Sequence, residues 1–151
     1  MTAFQIRPAT LADLDRIAPL FDAYRQFYEQ APDAALAARF VAERLQRQES
    51  VILLAEDAQR QGLGFCQLYP SFCSVEAAPI YVLYDLFVGP AARGGGVGRA
   101  LLLAAEARAV QDGKRRMDLT TAKTNRAAQS LYESLGWVRD EVFWAYNRRL
   151  G

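Results

Sequence analysis

Residues 81–103 read YVLYDLFVGPAARGGGVGRALLL. The first eight are rich in β-branched and aromatic residues and end at Gly89-Pro90, the pattern of a buried strand. Gly94, Gly95, Gly96 and Gly98 then place four glycines within five positions, and Arg99, Ala100 and three leucines open a helix. Backbone amides at a helix start have no partner within the helix, and the helix dipole favours a negative charge there. Glycine lets a phosphate come close to those amides. The stretch therefore predicts a phosphate or pyrophosphate cradle. A glycine-rich turn without a ligand is the plain alternative, and the flanking strand and apolar helix weigh against it. Spacing narrows the kind of cradle. A P-loop needs Gly-Lys-Ser/Thr, but Gly98 is followed by Arg99 and Ala100. A dinucleotide fingerprint fails as well: counted from Gly94 its last glycine would be Arg99, and counted from Gly96 it would be Leu101.

Working outward, Phe4 and Ile6 alternate with polar residues up to Pro8, a short first strand. Thr10 suits an N-cap, with Asp13 and Asp15 at the positive end of a helix. Leu11, Leu14, Ile17, Phe21, Tyr24 and Tyr28 follow at helical spacing, with a kink expected at Pro19. Pro32 and Asp33 start a second helix carrying Leu36, Phe40, Val41 and Leu45. The period then changes: residues 51–56 and 63–69 read as strands joined by a hairpin at 57–62. Residues 70–79 read as an irregular loop and 80–88 as the next strand. The glycine turn leads to a third helix over 99–110, closed at Asp112-Gly113. Residues 117–122 form a strand, Asn125 starts a fourth helix through Leu135, and residues 137–139 and 141–148 read as two last strands. The order β-α-α-β-β-β-α-β-α-β-β predicts one α/β (α+β) domain over 1–151 with a mixed sheet.

The 151 residues are 52% hydrophobic and 23% charged, the balance of a globular chain. Eighteen basic residues stand against 17 acidic ones, so no global field recruits nucleic acid or an anionic membrane. Among the basic residues only Lys114 and Lys123 are lysines. Histidine is absent, which removes the commonest metal ligand and any His-centred triad. Cys66 and Cys73 lie seven apart, on opposite faces of one strand by alternation, so neither a disulfide nor a zinc site is expected. The apolar runs are far shorter than the ~20 residues of a membrane span. The opening Met-Thr-Ala-Phe-Gln-Ile-Arg has no apolar signal core, so the expected location is the cytoplasm.

Arg93-Gly-Gly-Gly96-Val-Gly98, with Asp85-Leu-Phe-Val-Gly-Pro before it and Ala100-Leu-Leu after it, resembles the Arg/Gln-x-x-Gly-x-Gly/Ala element of the GCN5-related N-acetyltransferase (GNAT) superfamily. Asn125-Arg-Ala-Ala-Gln-Ser-Leu-Tyr132-Glu-Ser-Leu-Gly-Trp137 resembles the superfamily's second element, at a suitable distance. The element order resembles the GNAT fold over the whole chain. The resemblance implies a mostly antiparallel sheet of six to seven strands flanked by four helices, with the fourth and fifth strands splayed.

It also implies bound acetyl-CoA. The amides of Gly94, Gly95, Gly96, Val97, Gly98 and Arg99, with Arg93, would hold the pyrophosphate. Leu86, Phe87 and Val88 would pair with the pantetheine arm, and a backbone amide near a bulge in that strand, at Leu86 or Phe87, would polarise the thioester carbonyl, a contact worth ~3 kcal/mol. Asn125 and Ala128 would touch the cofactor, although Asn125 reads equally well as an N-cap. Tyr132 would protonate the departing thiolate. A phenol is suited to that, being still protonated at neutral pH, but Tyr132 could instead pack beside Leu131 and Leu135.

For the base, several groups are open. Many relatives carry a glutamate on the strand before the turn, where this chain has Val82 and Tyr84. Asp85 points to the other face unless a bulge intervenes, and it also reads as a structural hydrogen-bonding residue. Asp118 or a water chain are other routes. For the acceptor, Tyr24, Tyr28, Tyr69 and Tyr84 supply aromatic faces that attract cationic amines and hydroxyls that need partners; Phe21 reads as core. The phrases Phe21-Asp-Ala-Tyr-Arg-Gln-Phe-Tyr28 and Gln67-Leu-Tyr-Pro-Ser-Phe72 resemble a branch whose fungal members are associated with histone or polyamine acetylation. The expected activity is acetyl transfer to a small-molecule amine by direct attack in a ternary complex, with no metal, and the resemblance implies a homodimer. Acetylation of proteins or peptides, or acetyl-CoA binding without catalysis, are the alternatives.

Overall fold

A computed structural model describes residues 3–151. The chain divides into two compact units, the first ending at Leu119 and the second beginning at Thr120.

The first unit is built on a sheet ordered β1 (Phe4–Pro8), β2 (Val51–Asp57), β3 (Gly62–Cys73), β4 (Ala78–Val88) and β5 (Met117–Asp118). The first four strands pair antiparallel, and β4 and β5 pair parallel. Helices α1 (Leu14–Phe27) and α2 (Ala34–Gln46) lie between β1 and β2 in sequence, and α3 (Val97–Gln111) lies between β4 and β5. α1 runs unbroken through Pro19.

Strand alternation sorts the two faces of the sheet. Phe65 and Phe87 pair across β3 and β4. On their face they join Ile17 and Phe21 of α1, Ala37 and Val41 of α2, and Ile52 and Leu54 of β2 in one core cluster. Each such large apolar side chain contributes ~1.5–3 kcal/mol on burial. Gly64 is one residue from Phe65 and so lies on the opposite face, where a Cβ would meet Leu101 of α3 at 3.5 Å. There α3 buries Val97, Leu101, Leu102, Ala105 and Ala109.

Two features of β3 and β4 shape the site. Both strands run further into the expected loop at 70–79, so that only residues 74–77 turn the chain. Pro70 is tolerated within β3 because of its register. It faces Tyr81, whose N–H donates to the Arg116 carbonyl at 3.2 Å, on the β5 side. Pro70 and Tyr81 are thus a non-hydrogen-bonded pair, and the missing proline N–H breaks no rung. The second feature is a bulge: Gln67 pairs with Asp85 and Leu68 with Leu83, leaving Tyr84 extra.

β5 is shorter than the expected 117–122, and its ladder with β4 holds only Tyr81–Met117 and Val82–Asp118. β4 continues six residues beyond that ladder.

The second unit holds α4 (Arg126–Ser134), capped by the Asn125 side chain, which accepts from the Ala128 amide at 3.3 Å. The two strands expected over 137–139 and 141–148 are not formed, and the sheet has five strands rather than six or seven. Asp140 gives a local reason. Its Oδ1 accepts from the amides of Val142 and Phe143 at 2.8 and 3.1 Å, a turn that competes with ladder bonds between the two segments.

Candidate active site

The bulge re-aims β4. After a bulge, two neighbouring side chains can share a face, and here Tyr84 and Asp85 do. The Tyr84 ring lies 5.4 Å from that of Tyr69, and Asp85 lies beside Gln67 on the side of α1. Alternation alone would have sent one of them to the α3 face.

Asp85 is 4% exposed. Its Oδ2 accepts from Gln67 Nε2 at 2.6 Å, and Gln67 Oε1 accepts from the Ser50 hydroxyl at 2.7 Å. The Tyr24 hydroxyl donates to the Tyr84 carbonyl at 3.2 Å and faces the Asp85 carboxylate as well. Burial raises Asp85 above the usual carboxylate range, against the lowering pull of Gln67 and Tyr24. Burial, then the Asp85 charge, drive Tyr24 and Tyr69 upward, so both phenols stay protonated. Tyr28 packs edge-on to Tyr24 at 5.2 Å. Of the four tyrosines singled out from the sequence, Tyr24 and Tyr69 thus lie near one buried carboxylate, with Tyr28 packed on Tyr24 and Tyr84 on Tyr69. A carboxylate held above its ordinary pKa is a better base near neutral pH.

Asp118 has another engagement. Both its oxygens accept from Arg116, at 2.7 and 3.1 Å, and Arg116 also bonds Glu76 at 2.7 Å. Phe21 stacks on Phe40 at 5.3 Å within the core. Cys66 and Cys73 are free thiols. Burial pushes the Cys66 thiol up to about 12, which leaves it inert as a nucleophile.

The β5 side of β4 also has a readable pattern. The Gly89 amide donates to the Leu63 carbonyl at 2.8 Å. Counting back along the ladder, Phe87 and Asp85 turn their backbone groups to β3, while Val88 and Leu86 turn theirs away. Between the two amides expected from sequence, Leu86 thus faces the side where β5 no longer pairs and Phe87 does not. The Val88 carbonyl on that side accepts from Arg93 Nε at 2.9 Å. The Arg93 guanidinium lies 5.5 Å from the Phe87 ring and 6.0 Å from the Phe27 ring.

Beyond Arg93 the turn is shaped for an anion. Gly94 and Gly96 have φ of 82° and 85°, in the left-handed region, and nothing lies within 4 Å of where a Cβ would stand at either. The first bond of α3 runs from the Ala100 amide to the Gly96 carbonyl at 3.0 Å, so the amides of Val97, Gly98 and Arg99 precede it. Such a donor set fits a diphosphate and needs no metal. In the second unit, Asn125 spends its side-chain oxygen on the Ala128 amide, which is the N-cap reading of both residues. The Tyr132 ring lies 6.1 Å from that of Trp137. Sequence reading overlooked Gln67 and Ser50. A glutamine inside the buried run Gly64-Phe-Cys-Gln-Leu68 was the available signal, since a buried amide needs partners.

The Acetyltransferase (GNAT) family model matches residues 16–137. The chain belongs to the GNAT acetyltransferase family. It is 48% identical over 141 residues to the uncharacterized N-acetyltransferase YhfO of Bacillus subtilis, covering 93% of this chain and 94% of that one. A crystal structure of a probable acetyltransferase aligns with a TM-score of 0.91 at 40% identity, over 97% of this chain and 98% of the other. The aminoglycoside N-acetyltransferase AAC(6')-Iy, solved with CoA, shares the fold: TM-score 0.82, 20% identity, 99% and 97% coverage. This GNAT protein is an acyltransferase of mixed α+β architecture. Among its described residues no helix is long and apolar enough to cross a membrane, and no cluster of ligating side chains suits a metal ion.

Proposed function

We propose that this GNAT enzyme transfers an acetyl group from acetyl-CoA to a primary amine of a small molecule, by direct attack in a ternary complex. The observation that carries the reading is the bulge that turns Tyr84 and Asp85 to one face, where Asp85 meets Tyr24. A cationic amine is attracted to the tyrosine faces and must lose a proton before it can attack. Asp85 receives that proton through the Tyr24 hydroxyl, which hands on a proton without ionising. Cys66 is inert, which favours direct attack over an acetylated cysteine.

When bound, acetyl-CoA supplies an acetyl group on a thioester, whose carbon takes the amine nitrogen as the carbon–sulfur bond breaks. The amides of Gly94 to Arg99 hold the diphosphate. Leu86 and Val88 offer their backbone groups to the pantetheine arm, with Arg93 yielding the Val88 carbonyl, and the Leu86 N–H stabilises charge on the acetyl oxygen. Asn125, Ala128 and Tyr132 enter on the resemblance of their motif alone, Tyr132 as the donor of a proton to the thiolate. The proposal takes the chain as one catalytic domain. Free cysteines suit a reducing compartment, and the proposal includes the cytoplasm.

The test is thiol release from acetyl-CoA with separate panels of polyamines, amino acids, aminoglycosides and peptides. Turnover with one or more small amines, lost in Asp85→Asn and retained in Asp118→Asn, is the expected result. Turnover with peptides alone overturns the small-molecule assignment.

A further inference from the structure

Asp85 is tied to the start of β2 by a chain of two side chains, all within the first unit. Gln67 is fully buried, so each end of its amide needs a partner. Nε2 donates to Asp85 Oδ2 at 2.6 Å, and Oε1 accepts from the Ser50 hydroxyl at 2.7 Å. Among the described residues no buried side-chain nitrogen or oxygen lacks a partner. For Gln67 Oε1 that partner is Ser50.

The fold sets Ser50 in place for this contact. Ile52 pairs with Gln67 across β2 and β3, and Ser50, two residues earlier, falls on the same face. The turn that delivers it from α2 is held at several points. Gln48 takes a left-handed φ of 52°. The Glu49 amide donates to the Arg44 carbonyl at 3.1 Å, and Arg44 Nε donates to Glu49 Oε1 at 3.1 Å.

We propose that Ser50 is a positioning residue for acetyl transfer: its hydroxyl holds the far end of the Gln67 amide, so that Nε2 stays on Asp85 and keeps the carboxylate ready to take a proton. The proposal rests on the reading of Asp85 as the base. Two effects act in the same direction. Hydrogen bonds in a chain polarise one another, so donation to Oε1 makes the Nε2–H a stronger donor to a carboxylate. Without the hydroxyl, Oε1 is a buried acceptor with no donor, and the amide turns to satisfy it at the expense of its bond to Asp85. Either loss favours the neutral carboxyl, which cannot take a proton from the amine.

The groups that feel the Asp85 charge are Tyr24 of α1 and Cys66 and Tyr69 of β3, while Tyr84 adjoins it on β4. Burial raises the two phenols and the thiol, so these three stay protonated near neutral pH. Arg44 and Glu49, whose charges reach Tyr69, are paired with each other.

The test follows the Asp85 carboxyl carbon by NMR in the full chain labelled with carbon-13 at aspartate, beside the acidic limb of kcat/KM for the best amine of the panel. Ser50→Ala should raise both by about half a pH unit, the scale of one neutral hydrogen bond. Ser50→Thr, which restores a hydroxyl, should bring both back. If Ser50→Ala does not fold, Ser50→Cys keeps the volume with only a weak donor and should move the carboxyl the same way. In a Gln67→Leu background, removing the Ser50 hydroxyl should add nothing, because its route to Asp85 is gone. A carboxyl whose titration ignores the loss of the hydroxyl overturns the proposal, and so does an equal shift in the absence of Gln67. A carboxyl that shifts while the kcat/KM limb stays put overturns it at the base instead: Ser50 would then order a side chain that the reaction does not use.

Discussion

Gln67 Nε2 donates to Asp85 Oδ2 at 2.6 Å across β3 and β4, with both side chains buried. The bond opposes the burial that raises Asp85. A hydrogen bond to a charged group is worth about 1.5–3 kcal/mol, or roughly one to two pKa units. Gln67→Leu should therefore move the acidic limb of the kcat/KM profile to higher pH by about one unit or more. The base must be deprotonated to act, so activity at pH 6 falls more than at pH 9. A limb that stays in place would show that Asp85 does not set it.

Asp85→Asn separates activity from stability. Proton transfer by a positioned group contributes about 10²–10⁴-fold, and a loss of that order in kcat/KM is expected. Stability should move the other way with pH. A carboxyl whose folded pKa is raised binds more protons when folded between its unfolded and folded pKa values, so stability falls as pH rises through that window. The penalty is fully present above the folded pKa, and the variant escapes it. Thermal melts should show Asp85→Asn gaining on the unaltered protein as pH rises from 4 to 8. A gap that is constant with pH would mean that Asp85 carries no burial penalty.

Why these residues were only partly legible follows from what sets their directions. The glycine turn could be read from residues 93–98 because a turn and helix start are local, and their amides point outward whatever packs nearby. The tyrosines could be named but not oriented. Tyr84 and Asp85 share a face only because β4 has one residue more than β3 between Gln67 and Leu68, and a bulge belongs to the pair of strands, not to either sequence. Gln67 was passed over because its partner lies 18 positions away. The extended β3 depends similarly on the Pro70–Tyr81 register. The last strands were read from composition alone, and composition cannot supply the neighbour that a strand needs.

Gly96→Ala should cost both stability and cofactor affinity. With φ at 85°, a Cβ strains the backbone by about 1–2 kcal/mol, and it also stands where the diphosphate is expected. Gly113→Ala is the control. Its φ is 71°, also with nothing near a Cβ, and it lies past the far end of α3. Both variants should lower the melting temperature by similar amounts. Only Gly96→Ala should raise the KM for acetyl-CoA or reduce CoA binding in calorimetry. Equal binding by the two would remove the turn from the cofactor site.

Acid stability should depend on the cluster at the start of α1. Asp13 and Glu56 are buried between Arg7 and Arg16; Arg7 bonds Asp13 Oδ1 at 2.7 Å and Glu56 Oε1 at 2.7 Å, and Arg16 bonds both acids. Arg7 is the main cause of the Asp13 carboxyl standing at about 2, and Glu56 is lowered for the same reason. A carboxyl lowered by folding contributes stability that is present above its unfolded value and lost as pH falls through the folded one. For Asp13 that is on the order of 2 kcal/mol, lost between about pH 4 and pH 2. Denaturant melts of Asp13→Asn should be less stable at pH 7, since a buried ion-pair cluster has lost a partner, by about 3 kcal/mol. They should also be flatter between pH 5 and 2 than those of the unaltered protein. Parallel curves would place the acid sensitivity elsewhere.

Tyr132→Phe tests the role taken from the second motif. The ring contact with Trp137 at 6.1 Å survives the change, so packing is kept and only the hydroxyl is lost. If the hydroxyl protonates the departing thiolate, kcat should fall about tenfold or more at pH 7, towards the low end of acid catalysis, because a thiolate is a fair leaving group unaided. A more acidic thiol in the donor should narrow the difference, since it needs less help to leave. CoA affinity should be unchanged. Thiol release as fast as in the unaltered enzyme at every pH would leave Tyr132 a packing residue and assign protonation of sulfur to solvent.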